Sequence, residues 1–153
     1  IDGVSHSNTT FGWQSEGLPQ NGVFMPFIQK VTEKLEDFCK SIPKFKFSSV
    51  QIVHFWANIN YQNDINWPHR HAGDLSGVFY LQVNDKSGAL TLHNPFYDVN
   101  NKVSLHVNSV STIHLKPKIN KLVVFDANCS HYVNKNLSSE PRVSISFNAF
   151  INA

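Results

Sequence analysis

Charge is scarce in this chain. Only 16% of the 153 residues are Asp, Glu, Lys or Arg, and 13 basic against 11 acidic groups leave a formal +2 at neutral pH. So slight a balance gives no electrostatic case for binding nucleic acid or an anionic membrane surface. Long apolar runs are missing too, and none approaches the ~20 residues a membrane span needs. Cysteine is limited to Cys39 and Cys129, too few for a disulfide framework. That usage points to a reducing compartment, so a cytoplasmic protein is expected. The chain opens on Ile1 rather than Met, which reads as a trimmed start with any targeting segment out of view. Arginine is equally rare: Arg70 and Arg142 stand against 11 lysines. Where Lys supplies general surface charge, a rare Arg draws attention, because its flat guanidinium matches a carboxylate.

What is present is a core. The chain is 41% hydrophobic and 12% aromatic, enough for one globular domain over residues 1–153. Residues 1–22 are polar and rich in glycine and read as an extended arm, with Trp13 as its anchor on the body. From Val23 to Ile42 apolar residues recur every three or four positions, which predicts one amphipathic helix stopped by Pro43. Residues 47–150 then read as short strands: Phe47–Asn60, Ser76–Val83, Ala89–His93, Val103–Val107, Ser111–Leu115, Lys121–Phe125, His131–Val133 and Arg142–Phe150. Alternation is clearest in the last, where Val143, Ile145, Phe147 and Ala149 oppose Ser144, Ser146 and Asn148. One helix followed by about eight strands predicts a mostly β, α+β domain with an antiparallel barrel or sandwich as its body.

Two polar clusters interrupt this pattern. The first is Asp64-Ile65-Asn66-Trp67-Pro68-His69-Arg70-His71-Ala72-Gly73-Asp74, between two strands. Residues two apart on an extended segment share a face, so the imidazoles of His69 and His71 can reach one ion. Imidazole suits Fe, Zn, Cu or Ni, so the pair alone does not choose a metal, and polar loop histidines without a ligand are the other reading. The second cluster runs from His131-Tyr132-Val133 to Arg142-Val143-Ser144-Ile145-Ser146-Phe147-Asn148. Arg142 and Ser144 share a face by the same alternation, putting a guanidinium beside a hydroxyl, a cradle for a small carboxylate; a structural ion pair of Arg142 is the alternative. Ser146 and Asn148 extend the polar stripe, as a solvated face also would. Asn58 and Asn60 share a face of the strand leading to the first cluster, as pocket lining or as solvated polars. His54, His93, His106 and His114 read as strand or surface histidines, and neither Cys39 nor Cys129 has a sequence context that argues for a nucleophile.

A His-x-(Asp or Glu) pair after an early strand, a later lone His and an Arg-x-Ser about ten residues on describe the Fe(II)/2-oxoglutarate-dependent oxygenases, which this chain resembles with His71 in the place of the carboxylate. More narrowly, Trp67-Pro68-His69-Arg70-His71-Ala72-Gly73-Asp74-Leu75-Ser76-Gly77-Val78-Phe79-Tyr80-Leu81 is similar to the 2OG-Fe(II) oxygenase family of marine bacteria and phages. Val123-Val124-Phe125 through His131-Tyr132-Val133, Arg142 through Asn148, and the arm Gly12-Trp13-Gln14-Ser15 resemble it as well. The resemblance implies a double-stranded β-helix, the cupin-like jelly roll, with the long helix packed on one sheet. It implies Fe(II) held by His69, His71 and His131, with 2-oxoglutarate and O₂ as cosubstrates. It further implies that Arg142, with Ser144 and Tyr80, binds the far carboxylate of 2-oxoglutarate. Most of this superfamily has a carboxylate where His71 stands, so the alternative is that Asp74 completes the metal triad and a histidine turns away; Asp64 ranks behind it.

The activity this implies is hydroxylation of an unactivated C–H bond coupled to decarboxylation of 2-oxoglutarate. A protein or peptide side chain, as in prolyl hydroxylases, stands slightly ahead of a small molecule or nucleobase as substrate, in the cytoplasm of the host if the gene is a phage's. Two other classes stay open: a cupin-like three-histidine metal enzyme that does not use 2-oxoglutarate, and a non-enzymatic jelly-roll binding or structural protein. Metal retention and 2-oxoglutarate binding separate the three.

Overall fold

A computed structural model of the chain describes residues 9–10, 12–94 and 111–153. The expected strand Val103–Val107 and His106 lie outside the described residues. The helical stretch forms α1, Met25–Ser41, entered through a 3₁₀ turn at Gly22–Phe24. Pro26 sits in its first turn, where the missing N–H costs nothing. Ile42, the residue before Pro43, is already extended (ψ 117°), as the proline ring requires of its predecessor. The predicted helix, Val23–Ile42, is therefore right in place, two residues too long at its start and one at its end.

Among the described residues, ten strands follow the expected order with additions. They are β1 (Thr9–Thr10), β2 (Trp13–Gln14), β3 (Ser49–Asn60), β4 (Ile65–His69), β5 (Leu75–Gln82), β6 (Leu90–His93), β7 (Thr112–Leu115), β8 (Leu122–Asp126), β9 (His131–Val133) and β10 (Arg142–Asn152). They form two antiparallel five-stranded sheets, ordered β1-β4-β9-β6-β7 and β2-β3-β10-β5-β8. This is the jelly roll. Strand β4 was not expected, because Asn66, Trp67 and Pro68 carry no period-two pattern. The arm is extended as predicted, but it divides between the sheets: β1 pairs with β4, and β2 pairs with β3 through Trp13 opposite Ile59.

Helix α1 covers the outer face of the second sheet. Its stripe of Ile28, Val31, Leu35 and Cys39 packs on Val50, Ile52 and Phe55 of β3 and on Ile145, Phe147 and Ala149 of β10. The apolar parity of β3 changes between Ile52 and Phe55, because the register with β10 shifts at Asn148/Ala149 and inserts one extra residue into β3. Gly77 of β5 lies opposite Phe147 of β10, and any Cβ at position 77 would overlap the Phe147 ring. A second apolar cluster, Val78, Tyr80, Leu90, Val123 and Val133, lies between the two sheets.

With the apolar face of β10 under the helix, its other face turns into the roll. Arg142, Ser144 and Asn148 are all buried, as are Asn58 and Asn60 of β3 and Ser76 of β5. Arg142, Ser144 and Ser146 line an interior cleft with Asn58, Asn60 and Ser76, and Asn148 accepts a hydrogen bond from Ser76 Oγ.

Candidate metal centre and anion pocket

The first histidine ends β4 and the third begins β9. Register pairs His69 directly with His131, two residues 62 positions apart in sequence, with ring centroids 4.3 Å apart. His71 lies just past β4, tethered by its backbone N–H to the Ala127 carbonyl (3.1 Å), and its ring centroid is 4.8 Å from His69 and 5.0 Å from His131. One ligand atom from each ring can be chosen so that all three lie within 4.8 Å of one another, a spacing that could hold a metal ion. This is the single cluster of three or more His, Cys, Asp or Glu side chains with such spacing among the described residues.

Two of the rings are oriented by their own backbone. His69 Nδ1 lies 2.6 Å from the Trp67 carbonyl and His131 Nδ1 lies 2.9 Å from the Cys129 carbonyl. A carbonyl only accepts, so each Nδ1 carries the proton and each Nε2 presents a lone pair. Burial disfavours the charged ring in every case: it holds His71 down to about 3 and His131 down to about 4, and lowers His69 as well. The neighbouring imidazoles add to the effect at His71 and His131. Neutral imidazole is the ligand form, so near neutral pH no proton competes for the lone pairs. Trp56 flanks His71 at 5.4 Å, with His54 stacked on its outer face at 4.7 Å, and Phe125 packs against His131 at 4.7 Å.

Asp74 is not part of this cluster. Its carboxylate accepts the Ile151 N–H (2.8 Å), and its backbone bonds to Ala149 and Ala127 at the sheet edge. Asp64 accepts the Tyr61 N–H, and burial raises its carboxyl above the usual range.

At the inner end of the same cleft lies Arg142, 3% exposed. Its Nη1 donates to Asn60 Oδ1 (3.2 Å), and its guanidinium carbon sits 5.5 Å from the centre of the Tyr80 ring. Tyr80 is fully buried, and burial raises its phenol while the adjacent guanidinium opposes that. Arg142 Nε and Tyr80 Oη are the two buried side-chain polar atoms among the described residues without a hydrogen-bond partner. Ser144 lies across from Tyr80 in the β10–β5 register and from Asn58 in the β10–β3 register, and it lines the cleft too. Unsatisfied donors in a dry interior cost free energy, and a carboxylate is the group that would relieve both.

Among the lining residues to which the sequence assigned no role are Gln14, Trp56 and Asn66. Trp56 shares its strand face with Asn58 and Asn60, so alternation could have found it. Gln14 and Asn66 depend on how the arm and β4 pair, which no local pattern reports. Asn58 bonds Trp56 Nε1 through its oxygen and donates to Ser146 Oγ (2.9 Å), and Asn60 donates to Asn66 Oδ1 (3.1 Å). Of the remaining histidines, His114 bonds the Thr91 hydroxyl (2.9 Å) and His93 packs on Tyr132. Burial raises both thiols, and Cys129 donates its S–H to the His93 carbonyl.

The family model described as "Putative 2OG-Fe(II) oxygenase" matches residues 54–148. No curated protein matches the chain significantly. Among solved structures, it is similar to an oxidoreductase of the 2OG-Fe(II) oxygenase family from Burkholderia pseudomallei, at TM-score 0.66 and 13% identity, covering 90% of this chain and 65% of that one. It is similar to a prolyl-4-hydroxylase from Pseudomonas putida (TM-score 0.62, 12% identity, 97% and 74% covered). It is also similar to HygX from Streptomyces hygroscopicus, solved with nickel, 2-oxoglutarate and hygromycin B bound (TM-score 0.61, 9% identity, 97% and 73% covered). At such identities the likeness is one of fold, and the chain spans a little under two thirds of the Burkholderia protein. The family match runs from β3 into β10 and takes in His69, His71, His131 and Arg142, and with more than half of the chain inside it this protein belongs to the 2OG-Fe(II) oxygenase family.

Proposed function

We propose that the chain is an Fe(II)- and 2-oxoglutarate-dependent oxygenase that couples decarboxylation of 2-oxoglutarate to hydroxylation of an unactivated C–H bond. The observation that carries this reading is the pairing within one cleft of three neutral imidazoles with a buried guanidinium that has no carboxylate partner among the described residues. Iron, when bound with 2-oxoglutarate and O₂, supplies the oxidising chemistry and leaves succinate and CO₂ as coproducts.

The chain's own residues do the rest. His69, His71 and His131 would hold the metal through three neutral nitrogens. Arg142 Nε and Tyr80 Oη donate to the far carboxylate, with Ser144 beside them, which satisfies the two orphaned atoms. Val78, Leu90 and Val133 form the apolar wall of the cleft and keep water from it. Three histidines would leave the metal site one charge more positive than a two-histidine, one-carboxylate site, which favours an anionic cosubstrate. For the primary substrate, the likeness to a prolyl-4-hydroxylase favours a protein or peptide side chain, and the likeness to HygX makes a small molecule the other outcome to test.

The deciding experiment is an anaerobic titration of the metal-free protein with Fe(II), with and without 2-oxoglutarate. The visible charge-transfer band of an iron–keto acid chelate is expected, and its loss in His131→Ala. Iron binding without the band would point to a three-histidine metal enzyme that does not use 2-oxoglutarate. Failure of both would leave a jelly-roll binding protein. Succinate release stimulated by a proline-containing peptide library, against a small-molecule panel, then assigns the substrate class.

A further inference from the structure

We infer that Asn60 is a positioning residue for the anion pocket: it steers the Arg142 guanidinium while leaving the charge uncompensated, and so sets the preference for a keto acid bearing a second carboxylate. This rests on the oxygenase reading above and concerns how the site keeps its cation available.

A buried arginine ordinarily finds a carboxylate, because an unpaired charge in a low-dielectric interior is costly. Here it does not. The ion pairs among the described residues are Lys30–Glu33, Lys34–Asp37 and Lys40–Glu36, all on α1. The one buried acidic side chain among the described residues, Asp64, spends its carboxylate on the Tyr61 N–H. The charge on Arg142 meets a neutral amide instead, with Asn60 Oδ1 accepting from Nη1 at 3.2 Å.

Asn60 is held for that task from several directions. It pairs directly with Arg142 in the β3–β10 register, so its Cα is fixed across the strand. Its Nδ2 donates to Asn66 Oδ1 of β4, which settles which end of the amide faces the guanidinium. Its carbonyl accepts from the buried Asn136 Nδ2 (3.0 Å). The arm closes the fourth side: a Cβ at Gly12 would lie 2.9 Å from Asn60 Nδ2, so only glycine lets the arm pass so near. Only the Nη1 side is thereby engaged, and Nε is left unpartnered. An aspartate at position 60 has the same shape but the opposite consequence. It would pair with Arg142 internally and lose the Asn66 bond, which removes the positive potential that a dicarboxylate would seek.

The test is calorimetry on the full chain loaded with nickel in place of iron, titrating 2-oxoglutarate and pyruvate, which has the keto acid end but no second carboxylate. Asn60→Asp is expected to weaken 2-oxoglutarate by about tenfold or more. Pyruvate and nickel affinities should stay within about twofold, and the melting temperature should hold or rise. Unchanged 2-oxoglutarate affinity in Asn60→Asp overturns the inference, as does an equal loss for both keto acids, which would mark a merely structural residue. Should Asn60→Asp not fold, Asn60→Ser carries the same comparison: a selective loss of 2-oxoglutarate supports the role and a parallel loss overturns it. A parent protein that binds nickel but no 2-oxoglutarate would remove the oxygenase reading itself, an outcome visible before any variant is made.

Discussion

His69 and His131 face each other across the β4–β9 pair, and each donates its Nδ1 proton to the carbonyl two residues before it, Trp67 and Cys129 respectively. The two short strands thus act as mirror supports, fixing both rings with lone pairs inward before any metal arrives. Such outer hydrogen bonds set the tautomer and orientation of a ligand and raise its basicity.

Loss of either ring should therefore abolish metal-dependent stabilisation. A divalent metal at a hundredfold its Kd stabilises a folded protein by about 2.7 kcal/mol, and a chelator removes this. In His69→Ala and His131→Ala the melting temperature should no longer respond to Fe(II) or nickel. A retained response would place the metal elsewhere.

Position 71 tests the proposed third ligand. His71→Ala should weaken metal binding by at least about tenfold, as loss of a direct ligand does. His71→Asp should keep a competent site, since a two-histidine, one-carboxylate set also holds iron and the change lowers the site charge by one. Fe(II) titration of the two variants decides, and equal affinity of His71→Ala and parent would exclude His71 as a ligand.

Tyr80→Phe separates function from stability. Its hydroxyl is buried without a partner, so deleting it should leave stability unchanged or raise it by up to about 1 kcal/mol. The same variant should bind 2-oxoglutarate several-fold more weakly. Denaturant melts and keto acid titrations on one preparation give both numbers.

The histidine cluster also makes the metal-free protein sensitive to acid. His131 is held near 4 and His71 near 3 in the folded state, against about 6.5 for an exposed imidazole. Above pH 6.5 neither state binds these protons. As pH falls from 6.5 towards 4 the unfolded chain takes them up and the folded site refuses them, so stability declines through that window. Melting curves of the chelated protein at pH 7.5 and pH 5 should show the drop, and His131→Gln should show less of it.

On the far side of the sheet, Leu35→Ala removes a fully buried side chain from the α1 stripe and should cost about 2–5 kcal/mol. Metal affinity should be unaltered while the protein stays folded, because β3 and β10 stand between Leu35 and the histidines. A change in metal affinity at full folding would show that the helix helps set the site.

Local chemistry alone determined a good deal here. The three- and four-residue spacing of Val31, Leu35 and Phe38 predicts α1, and Pro43 marks its end, because helix periodicity and proline sterics act within a few residues. Alternation in β10 put Arg142, Ser144, Ser146 and Asn148 on one face, and the family motifs picked out His69, His71 and His131. What that face meets was decided by tertiary structure: the same stripe could have faced water, and it faces inward because α1 covers the apolar side. Only folding brings His131 beside His69 across 62 positions, turns Asp74 to the Ile151 N–H and lays Asn60 against Arg142. Periodicity reports which residues share a face, whereas the choice of inside and of partner belongs to strand register and layer packing, which join segments far apart in the chain.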